Sequence, residues 1–162
     1  MRNKKSFRVG DKIVDFGQVN RIFKIKEKII FFRPYFKTKQ NKTSTCSIPL
    51  KNIVKTNIRK PISKKELEQL LKSLSKKSDL KTPINITRVK GILNLNDPHE
   101  TARILKSLWM EKNDESTNFT KTRESVFKIA ANRLVEEVAL VNGVTLGKAE
   151  KQIKAALLKI LV

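Results

Sequence analysis

"KSFRVGDKIVDFGQVNRIFKIK", residues Lys5–Lys26, decides how the N-terminal part of the chain folds. Val9, Ile13, Val14, Val19, Ile22, Phe23 and Ile25 sit there among six basic residues and two acids, with Gly10 and Gly17 as punctuation. Short runs of β-branched and aromatic residues between turn signals read as strands. The pattern continues through "KIIFFRPYF" and "TSTCSIPL", with "RP" and "KQNKT" as further breaks. Pro34 is expected to interrupt a strand or to lie on an edge, because it has no N–H for a ladder. Four or five short strands over residues 6–60 predict a small, curled antiparallel barrel.

Past "NIRKP" the apolar period changes from strand-like to helical. Ser63 and Glu66 form a capping box ahead of Leu67, Leu70, Leu71 and Leu74. "SKKSDLKTP" reads as a linker. "NITRVKGILNL" is a short helix with Gly91 inside it. Asp97 as N-cap, Pro98 at the first helical position and Glu100 start another helix at "NDPHETARILKSLWMEK". "TKTRESVFKIAANRLVEEVALVNG" is the strongest helix, with Val126, Ile129, Ala130, Leu134, Val138 and Val141 as its stripe and Gly143 as its terminator. A last helix follows Thr145, with Ala149, Ile153, Ala156, Leu157 and Ile160 on one side. The predicted class is α+β, a β module followed by a compact helical bundle.

The 162 residues carry 36 Lys and Arg against 15 Asp and Glu, a net charge of +21. Residues 1–60 hold 17 basic and 3 acidic residues, a net of +14, and the remainder holds +7. Such a surplus repels itself and favours a polyanionic partner, because each neutralised phosphate releases condensed counterions. Cys46 is the single cysteine, so no internal disulfide forms and no multi-cysteine zinc site exists. No apolar run reaches the roughly 18 residues of a membrane span. The basic start "MRNKKSFRVGD" lacks an apolar segment after it, so no signal peptide is expected. His99 stands alone in a first helical turn and is read as an exposed capping residue. Glu136 and Glu137, adjacent on one helix, are read as solvated. With no phosphate loop and no nucleophile–base set, enzymatic function is disfavoured.

"FRVGDKIVDFGQVNRIFKI", "CSIPLKNI" and "NIRKPISKKELEQLLKSL" resemble the RNA polymerase-interacting domain of CarD-type transcription regulators, a module that transcription-repair coupling factor also carries. "TRVKGILNLNDPHETARILKSLWMEK", "FTKTRESVFKIAANRLVEEVAL" and the final helix resemble the helical C-terminal domain of the same family. The resemblance covers nearly the whole chain. It implies a Tudor-like β-barrel over residues 1–60, a helix and linker over 61–80, and a helical DNA-binding domain over 81–162. The barrel would pair an edge strand with the β subunit of bacterial RNA polymerase. The helices would contact promoter DNA at the upstream edge of the bubble and stabilise the open complex. A cytoplasmic, nucleoid-associated monomer without cofactor is implied. A general nucleic-acid-binding or ribosome-associated protein accounts for the charge equally well.

The resemblance also assigns residues. The pairing strand falls at Thr45, Cys46 and Ser47, and Ser47 stands where members often place an arginine; Lys26, Lys28 or Lys51 would supply that charge instead. The family's wedge tryptophan precedes the motif matched by Arg88-Val89-Lys90, which puts Asn85 at the wedge position. Asparagine cannot fill an unstacked base step, although it can hydrogen-bond a base edge. Ile84 or Ile86 would be a smaller wedge, while Trp109 is read as core. Arg88, Lys90, Lys121, Arg123 and Lys128 are the expected phosphate contacts.

Overall fold

A computed structural model describes residues 6–78 and 83–161. The expected boundary at residues 80 and 81 lies outside the described residues. The chain is α+β. Four antiparallel strands, β1 (Lys12–Asp15), β2 (Gln18–Lys26), β3 (Ile29–Pro34) and β4 (Cys46–Pro49), pair in sequence order. Six helices follow among the described residues: α1 (Leu50–Ile53), α2 (Lys64–Leu74), α3 (Ile86–Asn94), α4 (Pro98–Lys112), α5 (Lys121–Asn142) and α6 (Leu146–Leu158), with a 3₁₀ turn at Lys159–Leu161.

Two-residue turns join the first three strands. Phe16 and Gly17 have φ of +49° and +77°, and Glu27 and Lys28 have φ of +52° and +61°. Positive φ at both central residues matches the right-handed twist of the strands they connect. A register shift between Ile22 and Lys24 bulges β2. Ile13, Ile22, Ile30 and Phe32 bury one sheet face against Phe7, Ile53 and Ile58.

Among the described residues β1 and β4 do not pair, so the sheet is open and strand pairing does not close the expected barrel. The two edges differ. The β1 edge is covered: the Val14 N–H donates to the Arg59 carbonyl (2.7 Å), and the Asn96 side-chain amide donates to the Val14 carbonyl (2.8 Å). The β4 edge has no such cover among the described residues.

The helices form a second core around Leu67, Leu70, Leu74, Leu105, Leu108, Leu134 and Val138, all fully or almost fully buried. Burying each such side chain contributes on the order of 1.5–3 kcal/mol. Ser63, Asp97, Thr120 and Thr145 each cap a helix start by accepting a backbone N–H two or three positions on. Gly143 ends α5 in the left-handed conformation, and the Val144 N–H donates to the Ala139 carbonyl. This is the satisfied helix end that a glycine there permits.

α5 is buried on two sides, because the helices pack against one and the β1–β2 hairpin packs against the other. Ile129, expected in the buried stripe, is 41% exposed. Glu137, expected in solvent, is 2% exposed and receives both Arg59 guanidinium nitrogens at 2.7 Å together with the Ile62 N–H at 2.9 Å. Glu136 is also drawn in: its Oε1 is buried without a partner among the described residues. Burial pushes its pKa up to about 7, against the opposing pull of the Val19 N–H. Burial likewise raises the Asp15 carboxyl, opposed by Arg133. The reading of both glutamates as solvated is therefore corrected. Periodicity counts one apolar face per helix, and α5 has two buried faces.

The hairpin approaches α5 closely. A Cβ at Gly17 would lie 2.5 Å from the Arg133 Cα, so only glycine allows the approach. The Arg133 guanidinium sits 5.3 Å from the Phe16 ring centroid and donates to the Leu93 carbonyl. The sheet and the helices thus share a polar seam in which Arg59, Asn96, Arg133 and Glu137 are all engaged.

Candidate functional site

Thr45, Cys46 and Ser47 lie along the open edge and are exposed. The Leu50 N–H donates to the Lys28 carbonyl (2.7 Å), and the register pairs Ile48 with Ile30 and Cys46 with Phe32. Hydrogen-bonded positions alternate along an antiparallel ladder, so the Ser47 N–H and carbonyl point away from β3. Pro49, the next outward position, has no N–H to leave unpaired. Lys26 pairs in register with Ile29, which pairs with Pro49 on its other side. Lys28 therefore stands at one end of the same edge, and Lys26 lies two strands in from it on the same rung as Pro49. An open, largely apolar groove adjoins it, lined by Lys28, Ile29, Pro49, Leu50, Ile53 and Val54. Leu50 is 39% exposed and Val54 65%. Neither stands out in the sequence. Their signal is two large apolar residues, one opening a one-turn helix and one just past its end.

The helical assignments divide. Arg88 and Lys90 are exposed and flank the buried Val89 on α3. Residues two apart on a helix do not face each other, so these cations diverge. Neither they nor the exposed Lys121 and Lys128 form an ion pair among the described residues. Asn85 is the N-cap of α3, and its side-chain oxygen accepts the Thr87 N–H at 3.0 Å. That oxygen is engaged within the helix start rather than free to read a base. Ile84 and Ile86 pack on the helical core, so neither protrudes as a wedge.

Arg123, the remaining expected phosphate contact on α5, already has partners within the bundle. Its guanidinium meets Glu111 Oε2 at 2.6 Å and donates to the Ile84 carbonyl at 3.0 Å, while the Ile84 N–H donates to Glu111 Oε1 at 2.7 Å. Arg123 is largely buried and already neutralised. It ties the start of α3 to α4 and α5, which brings Asn85 and Lys121 towards one end of the bundle. Trp109 stacks on Phe127 at 6.0 Å and packs on the helical core, in keeping with its reading as core.

The chain matches no known family model and no curated protein.

His99 is exposed, with Nε2 3.9 Å from a Glu66 oxygen and its N–H donating to Asp97. Among the described residues no cluster of three metal-ligating side chains occurs, and no helix is long and apolar enough to cross a membrane. A further surface escaped the sequence reading. On the sheet face turned away from the core, Lys12, Arg21 and Arg33 stand directly opposite one another across three strands. Beside them lie Phe23 and Phe31, with ring centroids 6.4 Å apart. The signal is the alternation of "RIF" and "FFR", where every second residue shares a face; the bulge that brings Lys24 to the same face has no such signal.

Proposed function

We propose that this protein is a transcription regulator of CarD type, in which the β module docks on the β subunit of bacterial RNA polymerase and the helices contact promoter DNA. The observation that carries the proposal is the asymmetry of the sheet. One edge is covered by Arg59 and Asn96, while the other exposes Ser47, with Lys28 at the end of that edge and Lys26 two strands in. An uncovered edge can accept a strand from a partner, with main-chain hydrogen bonds giving affinity. Flanking lysines oppose self-association and favour an acidic partner. On this reading the open sheet is the Tudor-like module of the resemblance, and the protein acts as a cytoplasmic, nucleoid-associated monomer without a cofactor.

The DNA-facing part is Arg88, Lys90, Lys121 and Lys128. Asn85 is occupied as a cap and Ile86 is turned to the core, so bubble stabilisation rests on phosphate contacts rather than on a wedge. The test is open-complex lifetime on a promoter template with and without the protein. A lifetime extended at low salt and shortened steeply as salt rises supports the proposal. A lifetime unchanged at every salt concentration contradicts it.

A further inference from the structure

The outer face of the sheet concentrates cations without counter-charges. Lys12 pairs in register with Arg21, and Arg21 with Arg33. Like charges directly opposite one another on a sheet are destabilising. None of these three, nor Lys24, forms an ion pair among the described residues. Charges placed for solubility alone gain nothing from being set in one row.

The aromatic residues are equally specific in their placement. Phe23 occupies the bulge of β2, and Lys24, the residue after it, pairs in register with Phe31. Both rings are half-buried, and each carries the end of a flexible cationic side chain over it, which a base would have to displace. The Arg33 guanidinium carbon lies 4.8 Å from the Phe23 centroid and Lys24 Nζ 5.5 Å from the Phe31 centroid. Tyr35, 42% exposed, continues the set with Lys12 Nζ 5.8 Å from its centroid. Flat rings interleaved with cations are what a polynucleotide strand needs, because each base offers a π-face and each linkage a negative charge. A duplex hides its base faces and would use only the cations.

We propose that this face binds a single strand of nucleic acid, stacking bases on Phe23 and Phe31 and pairing phosphates with Arg21, Arg33 and Lys24. The site adjoins the β4 edge, since Phe31 pairs in register with Ser47, but it uses the sheet face rather than the edge backbone and stands whether or not that edge docks on polymerase.

The test is fluorescence anisotropy of the full chain with a labelled short oligothymidylate, repeated over a range of salt, with a duplex of equal length as control. Phe31→Leu is expected to weaken oligothymidylate binding by roughly five- to 150-fold, the range for removing one stacked base. It should leave duplex binding and the salt slope unchanged. Arg21→Gln with Arg33→Gln should flatten the single-strand slope of log K against log salt by about 1.4, at about 0.7 per phosphate. Both arginines are exposed, so the slope is decisive even where the Phe31 variant loosens the sheet. Wild-type affinity in Phe31→Leu, an equal loss for duplex and single strand, or an unaltered slope in the double arginine variant would overturn the proposal.

Discussion

Arg59 and Glu137 hold the sheet to the helices through two parallel 2.7 Å hydrogen bonds, with the carboxylate almost wholly out of solvent. Arg59 follows the β module, and its backbone pairs with Val14. Its side chain crosses to α5 and also donates to the Asn96 carbonyl. The bidentate geometry is what makes arginine, not lysine, fit this position. Arg59→Ala would leave a buried carboxylate uncompensated and should cost about 3–5 kcal/mol. Urea unfolding measures it, and a loss under about 1 kcal/mol would mean that this pair does not hold the seam.

Two glycines should respond in opposite directions. Gly17→Ala forces a Cβ into the Arg133 backbone at a positive φ, so the hairpin must lift from α5. The expected loss is about 2 kcal/mol or more, in the range of backbone and overpacking defects. Gly91 lies inside α3 with no atom within 4 Å of an added Cβ. Gly91→Ala should stabilise by about 0.5–1 kcal/mol through lower unfolded-chain entropy and better helix propensity. Thermal melts of the two variants, side by side, check both signs.

Glu136 should make stability fall as pH rises. Its folded carboxyl titrates at about 7 against an ordinary 4.5, because burial disfavours the charge. Below the unfolded value both states are protonated and nothing is lost. As pH climbs through the folded value the unfolded chain has already ionised, and stability drops. Asp15, raised for the same reason, acts with the same sign. Glu136→Gln removes the penalty. It should match wild type near pH 4 and exceed it near pH 8 by about 1–2 kcal/mol, a figure discounted for partial solvent access. Equal stabilities at both ends would show that the carboxyl is not held in this environment.

The helix boundaries were legible because their causes are local. Ser63, Asp97, Thr145 and Gly143 act within one turn of their own positions, and the sequence shows that chemistry directly. The Glu27–Lys28 turn was not legible, because neither residue advertises a positive φ. The burial of Glu137 depends on Arg59, 78 positions away, and the engagement of Arg123 depends on Glu111. Periodicity and motif spacing do not encode such pairings. The edge strand at Cys46–Pro49 could be read, whereas its being the uncovered edge follows from Arg59 and Asn96 reaching Val14 instead.

Arg88 and Arg123 should separate binding from folding. Arg88→Ala with Lys90→Ala is expected to leave stability intact and to flatten the duplex salt slope by about 0.9 for each phosphate no longer neutralised. Arg123→Ala should cost about 2–4 kcal/mol, since it strands Glu111 and frees the Ile84 carbonyl. At temperatures where that variant is folded its slope should equal that of wild type. A slope change in Arg123→Ala without a stability loss would return Arg123 to the DNA surface.

The most direct measurement is capture of the isolated β subunit of bacterial RNA polymerase by the intact protein, compared with Ser47→Pro. Proline at Ser47 removes the one N–H that the outward ladder position offers and spares the bonds from β4 to β3. We predict capture by the wild type and its loss in a folded Ser47→Pro variant. Failure of the folded wild-type protein to hold the β subunit, or undiminished capture by Ser47→Pro, would contradict docking through this edge.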